Sequence, residues 1–129
     1  MKMEIKVCEL VPSAATRTRG GEAIEALKDR IRGQELTDLV IDFSGFRIMP
    51  GSFVDEVTYK SQQIQQETGI RVTYRIDNDV TLMKLARSAG LRGLKLSYLW
   101  QNSNEPADVE PIALREPEWD AQREEIMTP

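Results

Sequence analysis

The chain has 129 residues, 40% hydrophobic and 29% charged, with a formal net charge of −4, one cysteine and no histidine. That is enough apolar material for a single packed core, which excludes a wholly disordered chain, and no apolar run approaches the ~20 residues of a membrane-spanning helix. The missing histidine excludes His-based triads, histidine general bases and Cys/His zinc sites, while the lone Cys8 excludes an intrachain disulfide and points to a reducing, cytoplasmic setting.

At the N-terminus Met3, Ile5 and Val7 alternate with Glu4, Lys6 and Cys8. This period of two predicts a strand over 3–10 with one buried face, and it is not the uninterrupted apolar stretch of a secretory signal. A polar loop is expected from Pro12 to Gly20. Ala23, Ile24, Leu27 and Ile31 then recur at helical spacing, with Gly33 where that helix stops. The apolar run Leu39-Val40-Ile41 before Asp42 suits a central strand buried on both faces. A second helix is predicted over Ser52–Gln66, with Phe53, Val57 and Ile64 on one side and Gly69 as its stop. Ile70, Val72, Tyr74 and Ile76 alternate with Arg71, Thr73 and Arg75, another one-sided strand. Asp77-Asn78-Asp79 offers capping side chains to a third helix through Leu82, Met83, Leu85, Ala86 and Ala89, ended by Gly90. Leu94, Leu96, Tyr98 and Trp100 give a last alternating strand.

The order β-α-β-α-β-α-β predicts an α/β fold. A small, mixed or mainly parallel four-stranded sheet is expected, with helices mostly on one face and a partly open, polar second face. Residues 1–101 form the domain, with a net charge of +2; residues 102–129 form an acidic tail of net −6 holding four of the six prolines. Neither part is the basic surface that nucleic-acid binding needs, so no nucleic-acid partner is expected. Val109, Ile112, Leu114, Trp119 and Ile126 are spaced among the acids of the tail. Part of it, Val109 to Trp119, is therefore expected to pack back on the body or on a second subunit. Lys6, Arg71, Arg75 and Lys95 on the open sheet face supply the complementary charge.

Chemistry concentrates in residues 38–56, where a buried strand runs through a loop into a helix start. Ser52 followed three residues later by Asp55 has the form of a capping box: the hydroxyl accepts from the first turn and Asp55 reaches back. Asp55 and Glu56 are adjacent in a helix, about 100° apart, so they do not form a catalytic carboxylate pair. Asp42 at a strand end is either a site residue or a cap for the turn at Ser44 and Gly45. Arg17 and Arg19, ahead of Gly20-Gly21, are either phosphate or carboxylate contacts or solvated loop charges; the dinucleotide fingerprint G-x-G-x-x-G is absent. A hydrolase built on Ser52 lacks a base, since there is no histidine and no lysine close in sequence. Cys8 has no activating partner in view and is expected to be inert.

The run VIDFSGFRIMPGSFVDEV, a strand ending in Asp-Phe followed by a Ser-Phe-x-Asp-Glu helix start, resembles the STAS-like family related to sulfate-transporter and anti-sigma-factor-antagonist domains. Arg17-Thr18-Arg19-Gly20-Gly21 before the first helix is similar to that family's arginine-containing segment. Ile76-Asp77-Asn78-Asp79-Val80 with Met83 and Arg87 resembles its last helix. The resemblance covers roughly residues 3–90. It implies a non-enzymatic regulatory protein-interaction module without cofactor or metal. It also implies phosphorylation of Ser52 by a partner ATPase-fold serine kinase, and partner contacts from Arg17, Arg19, Gly51, Asp55, Glu56 and Asn78. The alternative is a constitutive binding or scaffolding module. This chain has Pro50-Gly51 before Ser52 and Phe53 after it, where the bacterial antagonists carry an acidic residue and a glycine. A phosphate at Ser52 adds about −2 charge and is expected to meet repulsion from Asp55 and Glu56 one turn away. The Arg17–Gly21 and 44–52 segments are expected to share one end of the sheet.

Overall fold

Five strands and three α-helices are built from residues 1–113, the part of the chain that the computed structural model describes. They run β1 (Lys2–Lys6), α1 (Arg17–Ile31), β2 (Asp38–Asp42), α2 (Gly51–Thr68), β3 (Arg71–Ile76), α3 (Asp79–Arg92), β4 (Ser97–Trp100) and β5 (Ala107–Asp108). The sheet order is β1-β2-β3-β4-β5; the first four strands are parallel and β5 is antiparallel to β4. The fold is therefore α/β as expected, with a mixed sheet of five strands in place of four. β5 is two residues long and carries no periodicity for a sequence reading to use.

Each crossover steps the same way across the sheet, so right-handed connections put all three helices on one face. The core forms there: Ile5, Leu39, Ile41, Val72, Tyr74 and Ile76 from the strands meet Leu27, Phe53, Val57 and Leu85 from the helices. The Tyr74 hydroxyl is buried but partnered, lying 2.6 Å from Ser61 Oγ and accepting from Gln62 Nε2 at 3.1 Å, and burial pushes its phenol up to about 12.

The second face is exposed at its edge, at Lys2, Glu4, Lys6 and Arg71, and closed at its centre. Val40 and Leu99 are buried there, outside the main core. Arg75, also buried, donates to Glu4 Oε1 at 2.9 and 3.1 Å and to the carbonyls of Trp100, Gln101 and Ser103, fixing the turn after β4. β1 is shorter than its alternation suggests. It ends at Lys6 and passes into a 3-10 turn at Val7–Glu9, where Leu10 N–H donates to the Val7 carbonyl at 2.9 Å.

The last part of the polar loop expected from Pro12 to Gly20 is instead the start of α1, from Arg17 on. Thr16 is its N-cap, accepting from the Arg19 N–H at 3.2 Å. Gly20 lies within the helix because α2 crosses it closely: a Cβ at Gly20 would stand 2.9 Å from Glu56 Cβ and 3.2 Å from the Phe53 carbonyl oxygen. Around Gly21 there is open space. Opposite signs are therefore expected. Gly20→Ala destabilises by about 1–3 kcal/mol through overpacking, and Gly21→Ala stabilises by about 0.5–1 kcal/mol through helix propensity. Urea unfolding of the two variants tests this; a shared sign would mean that α1 and α2 do not meet at Gly20.

Part of the segment read as tail does pack back. Val109 is buried in the core and its N–H donates to the Leu96 carbonyl at 2.9 Å; the Ile112 N–H donates to the Ala86 carbonyl at 3.0 Å. Residues 109–112 pack along α3, and the second face is met earlier in the segment, where Arg75 donates to the Ser103 carbonyl. Leu114, Trp119 and Ile126 lie outside the described residues. Among those residues, no helix is long and apolar enough to cross a membrane.

Candidate functional site

In a sheet of parallel strands with one-sided helices, every helix starts at the carboxyl end of the strands, where open α/β sheets bind ligands. The first turns of α1, α2 and α3 therefore gather at one end. Arg17 comes from α1 and Ser52 from α2, and both line one cavity of about 320 Å³ together with Asp55, Lys84, Arg87 and Ser88. The Arg17–Gly21 and 44–52 segments thus share one end of the molecule, as expected.

Ser52 does not cap α2. The helix begins at Gly51 with Pro50 at the N-cap (φ −59°, ψ 153°), and no side chain caps it. The fixed φ of proline starts the helix ahead of the serine. Ser52 is then the second helical residue, partly buried, and its hydroxyl has no hydrogen-bond partner among the described residues. Losing it should cost little: Ser52→Ala is expected to change stability by less than about 0.5 kcal/mol, as read from the urea midpoint. A loss near the ~1 kcal/mol of a lost cap would restore the capping role.

Asp55 does not reach back to Ser52 either. It ties the three helices together. Oδ2 accepts from Arg17 Nη1 at 2.9 Å and Arg92 Nη2 at 2.7 Å; Oδ1 accepts from Arg92 Nε at 2.8 Å and Ser88 Oγ at 2.7 Å. The Arg92 hydrogen bonds hold this carboxyl well below the usual carboxylate range, burial opposes them, and Ser88 and Arg17 add to the lowering. Arg92 is raised in turn by Asp55, and its guanidinium lies 4.0 Å from the centre of the Tyr59 ring.

The other residues singled out by sequence fall in different places. Gly51 lines the cavity. Glu56 stands 3.6 Å from Arg17 and packs against Gly20. Arg19 pairs with Glu22 at 2.7 Å and does not line the cavity. Asn78 caps α3, accepting from the Thr81 N–H at 2.8 Å, and borders a neighbouring hollow with Phe46, Val80 and Lys84. Asp42 is buried and accepts from the Ser44 N–H at 2.8 Å, the turn-capping alternative. Cys8 fills the space beside Gly45, whose φ of +104° suits glycine.

Lys84 was not singled out, and Arg87 entered only through the family resemblance. Both come from α3, where Lys84, Arg87, Ser88 and Leu91 follow the i, i+3, i+4, i+7 spacing of one helix face and line the cavity. That spacing was present in the sequence; nothing local tied it to Ser52. Lys84 Nζ donates to the Met49 carbonyl. Arg87 is exposed and has no anionic partner among the described residues. The carboxylates expected to repel a phosphate are themselves paired: Arg17 and Arg92 meet Asp55, Arg17 stands near Glu56, and Lys84 and Arg87 line the cavity with Asp55. Ile48 on the loop into α2 and Val80 and Met83 on α3 are exposed apolar side chains, and Val80 borders the neighbouring hollow that Lys84 also lines. Among the described residues, no group of three or more Cys, Asp or Glu side chains is placed to hold a metal ion.

Comparison of the chain with protein-family models, with curated proteins and with solved structures gives no match.

Proposed function

We propose that this chain is a non-enzymatic regulatory protein-interaction module, and that the end of the sheet around Ser52 is its docking surface. One observation carries this reading: Ser52, on the first turn of α2 and without a hydrogen-bond partner among the described residues, lines one cavity with Arg17, Lys84 and Arg87, while Ile48, Val80 and Met83 are exposed and Val80 shares the neighbouring hollow with Lys84. Exposed apolar groups next to unpaired charge are the composition of a protein-binding surface, with apolar area for affinity and charge for orientation. The resemblance to STAS-like and anti-sigma-factor-antagonist domains supplies the kind of partner, an ATPase-fold serine kinase, and the regulatory event, phosphorylation of Ser52. The docked state is switched when charge is added at the centre of that surface. Support for a non-enzymatic role comes from the nucleophile itself: among the described residues Ser52 makes no hydrogen bond to a base, and the lysine sharing its cavity is directed to the Met49 carbonyl.

The test is the mass of the protein after incubation with the candidate kinase and ATP, followed by partner affinity for wild type, Ser52→Ala and Ser52→Asp. A gain of one phosphoryl group at Ser52, with Ser52→Asp binding at least tenfold more weakly than Ser52→Ala, is the expected result. Equal affinity for all three would leave a docking module without the switch.

A further inference from the structure

We propose that the cavity between α1, α2 and α3 is a binding site for one phosphoryl dianion, with Arg87, Lys84 and Arg17 as its ligands. The cations converge from two helices on one hollow of about 320 Å³, space for a phosphoryl group and what carries it. Arg17 and Arg92 meet Asp55, and Arg17 also stands near Glu56, so the local surplus over the two carboxylates is two positive charges. A phosphoryl dianion cancels that surplus; a carboxylate leaves one charge over. Among the described residues Arg87 is the member not engaged elsewhere, and a guanidinium suits phosphoryl oxygens through paired N–H donors. Arg17 joins at the cost of its contacts with Asp55 and Glu56, and Asp55 stays held because Arg92 already engages both of its oxygens. When the phosphoryl group comes from a second molecule, the Ser52 hydroxyl in the same cavity is a neutral donor for a remaining oxygen, whereas the Ser88 proton is already given to Asp55.

The phosphoryl group has two sources: Ser52 itself after modification, or a second molecule that brings it. The first rests on the function proposed above and the second does not. In both, the site holds one anion at a time. A phosphoryl group on Ser52 would then occupy the place of an anionic group from a partner.

The experiment is a titration of the full chain with inorganic phosphate at constant ionic strength, following backbone amide resonances, with chloride as the control. Saturable shifts are expected at Ser52, Lys84, Arg87 and Ser88 and not on the second sheet face. Arg87→Glu, at an exposed helical position, is expected to keep the fold and to weaken phosphate binding at least tenfold. Arg87→Lys is expected to lose less. If phosphate produces no saturable shifts at these amides, or binds Arg87→Glu as it binds wild type, the site is wrong. Ser52→Asp distinguishes the sources. Weakened phosphate binding in that variant means that a charge on Ser52 fills the site, and unchanged binding assigns the site to an external phosphoryl group. Neither result depends on a kinase acting on Ser52, so failure of the switch and failure of the phosphoryl site can be told apart.

Discussion

Asp55→Ala is expected to destabilise the protein by about 2–4 kcal/mol, a large share of the ~5–15 kcal/mol that holds a domain together. One carboxylate accepts four hydrogen bonds, from Arg17, Ser88 and twice from Arg92, and so joins α1 and α3 through α2. Its removal leaves the buried Ser88 hydroxyl and two guanidinium groups without their shared acceptor. The cost falls below that of a fully enclosed ion pair because Arg17 and Arg92 keep part of their surface in water.

The same contacts set a pH dependence. Arg92, Ser88 and Arg17 lower the folded-state pKa of Asp55 below its unfolded value, with burial acting against them. Below about pH 4 the unfolded chain takes up the proton that the folded chain still excludes. The stabilisation is therefore complete above that value and is lost as the pH falls through it toward the lower folded-state pKa. Asp55→Asn keeps the shape and removes the charge. Urea unfolding at pH 7, 5 and 3 is expected to show a difference of about 2 kcal/mol between wild type and Asp55→Asn at pH 7 and 5. The difference is expected to shrink at pH 3. A constant difference would show that the carboxylate's charge is not what links the helices.

The sequence was most legible where one local rule acts alone. β2 follows from a continuous apolar run, the end of α2 from Gly69 in the left-handed region (φ 79°), and the start of α3 from Asn78 as its cap; alternation gives β3 its extent but not its burial, since Thr73 and Arg75 on its second face are buried too. It misled where two local rules compete. Ser52 and Asp55 have capping-box spacing, but Pro50 starts the helix earlier and the arginines of α1 and α3 claim the carboxylate. It was silent where the cause lies far along the chain. Gly20 reads as a loop residue until α2 is seen crossing it. Lys84 reads as one more surface charge until the crossover brings α3 beside α2 and completes the cavity. The candidate site was therefore half legible: Arg17 and Ser52 could be found from their places at strand-to-helix junctions, whereas α3's contribution needed the packing of the helices.

Gly90 shows the same distant control, with a testable consequence. Its place in the sequence suggests the end of α3, yet the helix continues to Arg92 and stops at Gly93 with φ 64°. Glycine inside a helix costs roughly 1 kcal/mol relative to alanine, so Gly90→Ala considered in isolation would stabilise. The chain beyond β5 reverses that sign. A Cβ on Gly90 would lie 1.8 Å from the Ile112 carbonyl oxygen and 2.7 Å from its carbon, and the nearest atoms are all Ile112 backbone, with no side chain to turn away. The 109–113 segment must therefore move off α3. It would lose the Ile112 N–H bond to the Ala86 carbonyl and, if the movement extends back along the chain, the core position of Val109. The net expectation is a destabilisation of about 2–4 kcal/mol, from overpacking and from apolar surface returned to water. Hydrogen exchange locates the change: the Ile112 amide is expected to lose its protection first, while the amides of β2 and β3 slow or quicken only with global stability. A Gly90→Ala protein that is more stable than wild type and still protects Ile112 would mean that the segment does not rest on α3. The other face of α3 carries Lys84, Arg87 and Ser88, so the segment braces the helix that completes the phosphoryl site.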